Sequence, residues 1–144
     1  METPSYEISD LDILALTKLF LENYKIKNGE DSVMIPKEAT ICNSIYIGQR
    51  MFDLPLNYRF HSFGRNGVIS PDICVEHGEL LNRKVHNLPN KEEVEKTIRV
   101  AKNLSNFTDE ELADVAQLLW NDGGYLDENK KRKTRELLSK IVTL

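Results

Sequence analysis

The stretch DLPLNYRFHSFGRNGVISPDICVEHGELL, residues 53–81, changes hydrophobic period, turn chemistry and helix signal within one short span. Leu56, Tyr58 and Phe60 alternate with Asn57, Arg59 and His61, the two-residue period of a strand with one buried face. Gly64, Asn66 and Gly67 then supply residues tolerant of positive φ, so the chain turns there. Ser70-Pro71-Asp72 places a capping hydroxyl, a proline at the first helical position and an acid in the first turn. Ile73, Cys74, His77, Leu80 and Leu81 continue at helical spacing. The centre of the chain is therefore predicted to be strand, glycine turn, helix, which points to an architecture more clearly than to a reaction.

Working upstream, Asp53 and Pro55 stop a helix predicted from Pro36 to about Phe52, whose apolar side is Ile41, Cys42, Ile45, Tyr46, Met51 and Phe52. Before it, Ser9 with Asp12 resembles a capping box that opens a helix to about Tyr24. Leu11, Leu14, Leu16, Leu19 and Phe20 give that helix a broad apolar face, and Asn28-Gly29 ends the unit. Downstream, Asn90 with Glu93 opens a helix to about Leu104, with a stripe of Val94, Ile98, Ala101 and Leu104. Thr108 with Glu111 opens the next, with Leu112, Val115, Ala116 and Leu119 inward and Trp120 near its end. A last helix from about Asp127 begins with Lys130, Lys131, Arg132 and Lys133 and becomes apolar only at Leu137, so its first half is expected to be solvated. The expected fold is mainly α with a small β element (α+β), a compact single domain over residues 1–144 with strand, turn and helix at its centre. Its predicted core is Leu14, Ile45, Tyr58, Phe60, Ile73, Leu80, Ile98, Leu112 and Leu119.

The 144 residues suffice for one domain with a real hydrophobic core. Hydrophobic residues make up 40% and charged residues 29%, as in an ordinary soluble protein, and no apolar run reaches bilayer length. The N-terminus carries acids before its first apolar segment and so lacks the basic start of a secretory signal; a cytoplasmic location is expected. A net charge of −4 and a pI near 5.4 offer no global attraction for phosphates, so any nucleic-acid contact must rest on a local patch. Cys42 and Cys74 both sit in apolar-periodic contexts suited to buried reduced thiols.

Three elements of this stretch carry a family likeness. Ile45-Tyr46-Ile47-Gly48-Gln49, Tyr58-Arg59-Phe60 and Gly67-Val68-Ile69-Ser70-Pro71 resemble the pattern of the SocA-like antitoxin (Panacea) group and of YwgA-like proteins, small proteins of bacteria, archaea and phages. Val68 stands where that group carries a proline and Ile69 where it carries an aromatic residue. The likeness covers roughly residues 40–82. It implies a mostly helical fold with a small β element, winged-helix-like at the central strand, turn and helix, and a role in binding another protein, as antitoxins of the group bind toxins.

Chemical readings of the chain are weaker than that one. Cys42, His61, Cys74 and His77 include one close pair of metal-type residues where a zinc site asks for two, so no metal is expected. No motif joins a nucleophile to a base and an orienting group, the Glu92-Glu93-Glu95 cluster reads as helix solvation, and Gly64 to Gly67 lacks the lysine and serine of a phosphate loop. Neither a catalytic residue nor a cofactor is therefore expected. For DNA, Asp72, Glu76 and Glu79 occupy the exposed start of the helix that would enter the major groove, where Arg, Lys, Asn or Gln is needed. Arg50, Arg59, Arg65, Arg83 and Lys84 form a modest basic edge, and Lys130 to Arg135 another, which keeps a DNA-binding regulator as the second reading. The first is a non-enzymatic protein-binding module, with Arg59, His61, Phe63 and Arg65 as the partner-binding residues at the turn. A membrane role is not expected.

Overall fold

The computed structural model of the chain describes residues 10–28, 34–74, 90–122, 124 and 126–142. It is mainly helical with a small antiparallel hairpin: α1 (Asp10–Asn28), α2 (Met34–Phe52), β1 (His61–Ser62), a 3-10 turn (Gly64–Asn66), β2 (Val68–Ile69), α3 (Lys91–Leu104), α4 (Asp109–Asn121) and α5 (Glu128–Val142). Residues 71–74 are also helical, directly after Ser70. Ser9, His77, Leu80, Leu81, Arg83 and Lys84 lie outside the described residues, as do Glu76 and Glu79 and the side chains of Leu11 and Leu14. No described helix is long and apolar enough to cross a membrane.

The caps expected for α3 and α4 form. Asn90 Oδ1 accepts from Glu93 N at 2.9 Å, and Thr108 and Glu111 make both halves of a capping box at 3.1 and 2.9 Å. Asp127 Oδ1 accepts from Lys130 N at 2.8 Å and starts α5. Each such cap satisfies an amide that the helix itself leaves without a partner, and is worth about 1 kcal/mol.

α1 packs chiefly on α3, α2 on α4, and α4 on α5. α2 and α4 are the inner helices: residues 40–48 of α2 and 112–118 of α4 are buried on every side. That differs from the one-sided faces expected for both, and the reason is that each is sandwiched between another helix and the hairpin. Leu16, Phe20, Ile45, Ile47, Leu56, Ile73, Leu104, Leu112 and Ile141 are the large side chains fully enclosed. Of the predicted core, Ile45, Ile73 and Leu112 are buried, Tyr58, Phe60 and Leu119 are half-buried and pack against its edge, and Ile98 is half-buried. On α3 the buried stripe is Thr97, Val100, Ala101 and Leu104, so the inner face is rotated away from Ile98.

The predicted strand is corrected most. Its inward and outward alternation holds, since Leu56 is buried and Tyr58 and Phe60 half-buried while Asn57, Arg59 and His61 are exposed. Ladder pairing, however, is confined to His61 opposite Ile69 and Ser62 opposite Val68. A tight turn at Leu54–Leu56 and a positive φ of 56° at Asn57 bend the chain before Tyr58, so no neighbouring strand can follow it. The second strand, β2, occupies Val68 and Ile69 where only a turn was expected.

Candidate functional site

A two-stranded hairpin this short has little stability of its own in water. Here it is held from behind by two buried amide side chains. Asn43, on the buried stretch of α2, accepts from Val68 N at 2.8 Å and donates from Nδ2 to Asn66 O at 2.8 Å. Gln117, on the buried stretch of α4, donates from Nε2 to Gly67 O at 2.7 Å and to Gly64 O. Both acceptors of Gln117 are carbonyls, which fixes the orientation of its amide and leaves Oε1 buried without a partner among the described residues. Asn43 completes the edge of β2 as a further strand would, and Gln117 closes the turn from the other side.

The glycines make this possible. Gly67 has φ 94°, and a Cβ there would lie 2.7 Å from Asn43 Cγ and overlap Oδ1. Val68 supplies the N–H that Asn43 receives, which a proline at that position does not have.

Ahead of the hairpin, Gln49 plays a similar part. Its Oε1 accepts from Tyr58 N at 2.9 Å and its Nε2 donates to Tyr58 O at 3.3 Å, tying the extended segment to the end of α2 in place of a ladder. The Tyr58 hydroxyl meets Thr17 Oγ1 of α1 at 2.9 Å. Gly48 O accepts from Leu54 N at 3.2 Å where the chain leaves α2. The Ile-Tyr-Ile-Gly-Gln element thus acts as an anchor for the segment that leads into β1.

Arg59, His61, Phe63 and Arg65 are all exposed on the hairpin or its approach, with Phe63 at 38% of its full accessibility. The clamp brings them onto one short, fixed piece of backbone. Sequence reasoning located these four but missed Asn43 and Gln117. The available signal was an amide within each otherwise apolar helical run, Ile-Cys-Asn-Ser-Ile and Val-Ala-Gln-Leu-Leu, where an enclosed amide must find partners.

Beside the turn lies a cleft of about 600 Å³ between α2, α4 and α5, lined by Arg65, Asn66, Asn43, Asp114 and Lys130 among others. Lys130 Nζ sits 2.9 Å from Glu110 and 3.7 Å from Asp114. Burial raises the Asp114 carboxyl above its ordinary range against the opposing pull of Lys130. The hydrogen bond to Glu110, followed by the charge of Asp114, raises the Lys130 ammonium. The Lys130 ion pairs lie in the wall of the cleft, and elsewhere in the basic run at 130–135 Lys131 pairs with Glu128 at 3.6 Å and Arg132 donates to Asn129. Lys130 and Lys131 are half-buried rather than solvated, while Arg132, Lys133 and Arg135 are exposed.

Cys42 Sγ points at Ser70 O, 4.0 Å away in the core, and His61 is exposed on β1, so the two do not meet. Neither cysteine is in a disulfide, and no group of three or more His, Cys, Asp or Glu side chains among the described residues is arranged around a metal position. No known protein family, curated protein or solved structure matches the chain.

Proposed function

We propose that the chain is a non-enzymatic protein-binding module, an antitoxin-like neutraliser or a phage- or mobile-element-borne modulator of a host protein, and that the clamped hairpin is its contact face. The supporting observation is the clamp itself: the turn is fixed by two hydrogen bonds from Asn43 and two from Gln117. A surface already ordered in its free state loses less conformational entropy on binding, which favours affinity from a small contact area. Arginines and an exposed aromatic ring on that surface are the residue types that dominate binding energy at protein interfaces.

The test is affinity capture from the lysate of the source cell, with and without nuclease, using the wild type and a Phe63→Ala, Arg65→Ala double variant. A stoichiometric protein partner that survives nuclease and is lost with the double variant is the expected result. Capture that disappears on nuclease treatment would transfer the face to DNA and favour the regulator.

A further inference from the structure

The exposed face does not end at the hairpin. Tyr46, buried on α2, stands at the centre of an aromatic cluster, 5.1 Å from the Phe60 ring at 64° and 5.9 Å from the Trp120 ring at 60°. Phe60 is half-buried at the entry to β1, and Trp120 lies at the end of α4 with 40% of its surface open. One helical turn beyond Tyr46, the exposed Arg50 donates to Leu119 O at 3.4 Å, which sets its guanidinium beside Trp120. Arg59, next to Phe60, is exposed as well. Among the described residues none of Arg50, Arg59 and Arg65 has an ion pair, while Lys18, Lys91, Lys130 and Lys131 each have one.

We infer that Trp120, Phe60, Arg50 and Arg59 extend the contact face from the hairpin to the end of α4, and that this extension takes an acidic segment of the partner protein carrying an apolar side chain. The inference rests on the proposed protein-binding function and names the partner's chemistry. A guanidinium without a carboxylate of its own is suited to receive one from a partner, in the two-pronged geometry that lysine cannot offer. The open Trp120 ring, braced from below by Tyr46, offers an apolar platform beside it. An aromatic ring among arginines is also what a single-stranded nucleic acid seeks. Asp53 and Asp122, both exposed, follow directly on α2 and α4 and flank this patch with negative charge. With a net charge of −4 on the chain, a long phosphate backbone is repelled over more of the surface than a short peptide with a few carboxylates that meet the arginines.

Trp120 is the sole tryptophan of the chain, so intrinsic fluorescence reports from this surface alone. The experiment selects a random peptide library on the full-length protein, then titrates the enriched peptides and a thymidine oligonucleotide against that fluorescence. Selected peptides should combine Asp or Glu with a large apolar residue and change Trp120 emission saturably. Their affinity should fall at least about fivefold in Arg50→Gln, checked like the next variant for native helicity because Arg50 also bonds to Leu119 O. Trp120→Ala, checked for native helicity by circular dichroism, should weaken binding of labelled peptide at least as much. Enrichment of neutral or basic peptides overturns the inference, as does acidic-peptide binding that Arg50→Gln and Trp120→Ala leave unchanged. Submicromolar binding of the oligonucleotide through Trp120 overturns it in favour of nucleic acid. Peptides that depend on Phe63 and Arg65 but not on Trp120 would remove the extension and keep the hairpin face. Failure of both peptide selection and lysate capture removes both.

Discussion

Gly67 and Gly64 both have positive φ, but Gly67, at φ 94° and ψ −119°, lies outside the left-handed helical region, and only there would a Cβ strike Asn43. A Cβ on Gly64 meets nothing within 4 Å, so Gly64→Ala should bear only the left-handed backbone cost, about 1 to 2 kcal/mol. A Cβ on Gly67 would displace the Asn43 amide, breaking its bond to the buried Val68 N–H, which water does not replace. Gly67→Ala should therefore cost about 3 to 5 kcal/mol, the backbone term plus at least one unsatisfied buried group. Denaturant unfolding of the two variants measures both; equal costs would show that Asn43 does not hold the turn. Asn43→Ala should lose about 1 to 3 kcal/mol, because the buried Val68 N–H would be left without its partner while the C=O of the exposed Asn66 can turn to water.

Among the elements, α4 and α5 meet through Lys130, Glu110 and Asp114, and this contact gives the pH response a sign. Burial leaves the folded Asp114 with a raised pKa despite Lys130, so between its unfolded and folded values the folded state binds more proton than the unfolded one. This group's contribution is thus most favourable below the unfolded value of about 3.9 and is lost as pH rises through the folded one. Asp114→Asn is expected to stabilise the protein at neutral pH, with a gain that vanishes in urea unfolding at about pH 3.5. A net loss at neutral pH would mean that the pair with Lys130 outweighs the desolvation of Asp114. Phe60→Ala belongs to the same scale. With the ring half-buried against Tyr46, its expected cost is about 2 kcal/mol, below the 3 to 5 kcal/mol of a fully enclosed phenylalanine.

The elements also show what a sequence discloses. Asn90 and Thr108 announced their helices because a cap is a local bond between residues three apart. The alternation at residues 56–61 gave the correct inward residues but not the ladder, because side-chain period reports burial and not which backbone pairs with which. Asn43, Gln49 and Gln117 stand in for strand partners across separations of 25, 9 and 50 residues; an amide in an apolar run signals that it needs a partner, but nothing local says which backbone group that is. The exposed tip residues were legible from turn chemistry, whereas the Trp120 cluster depends on how α2 and α4 lie together and was not.

At the scale of the whole molecule, an acidic helical body presents a small, basic and aromatic face. In the positive run of α5, Lys130 and Lys131 are engaged with Glu110, Asp114 and Glu128, which leaves Arg132, Lys133 and Arg135 as its exposed cations. DNA binding near physiological salt is accordingly expected to be weaker than micromolar. Changing Lys130, Lys131 and Lys133 to Gln should move the salt slope of any residual binding by no more than about one, against about three if all were phosphate contacts. What the body must do is hold the hairpin still, and the Val68 amide reports on that directly. It is fully buried and donates to a side chain of α2 rather than within a helix or ladder. Native-state hydrogen exchange should find Val68 N–H opening only with a free energy close to that of global unfolding, and losing that protection in Asn43→Ala. Exchange of Val68 in the wild type at the rate of an open loop, with an opening free energy near zero, would contradict a rigidly presented face.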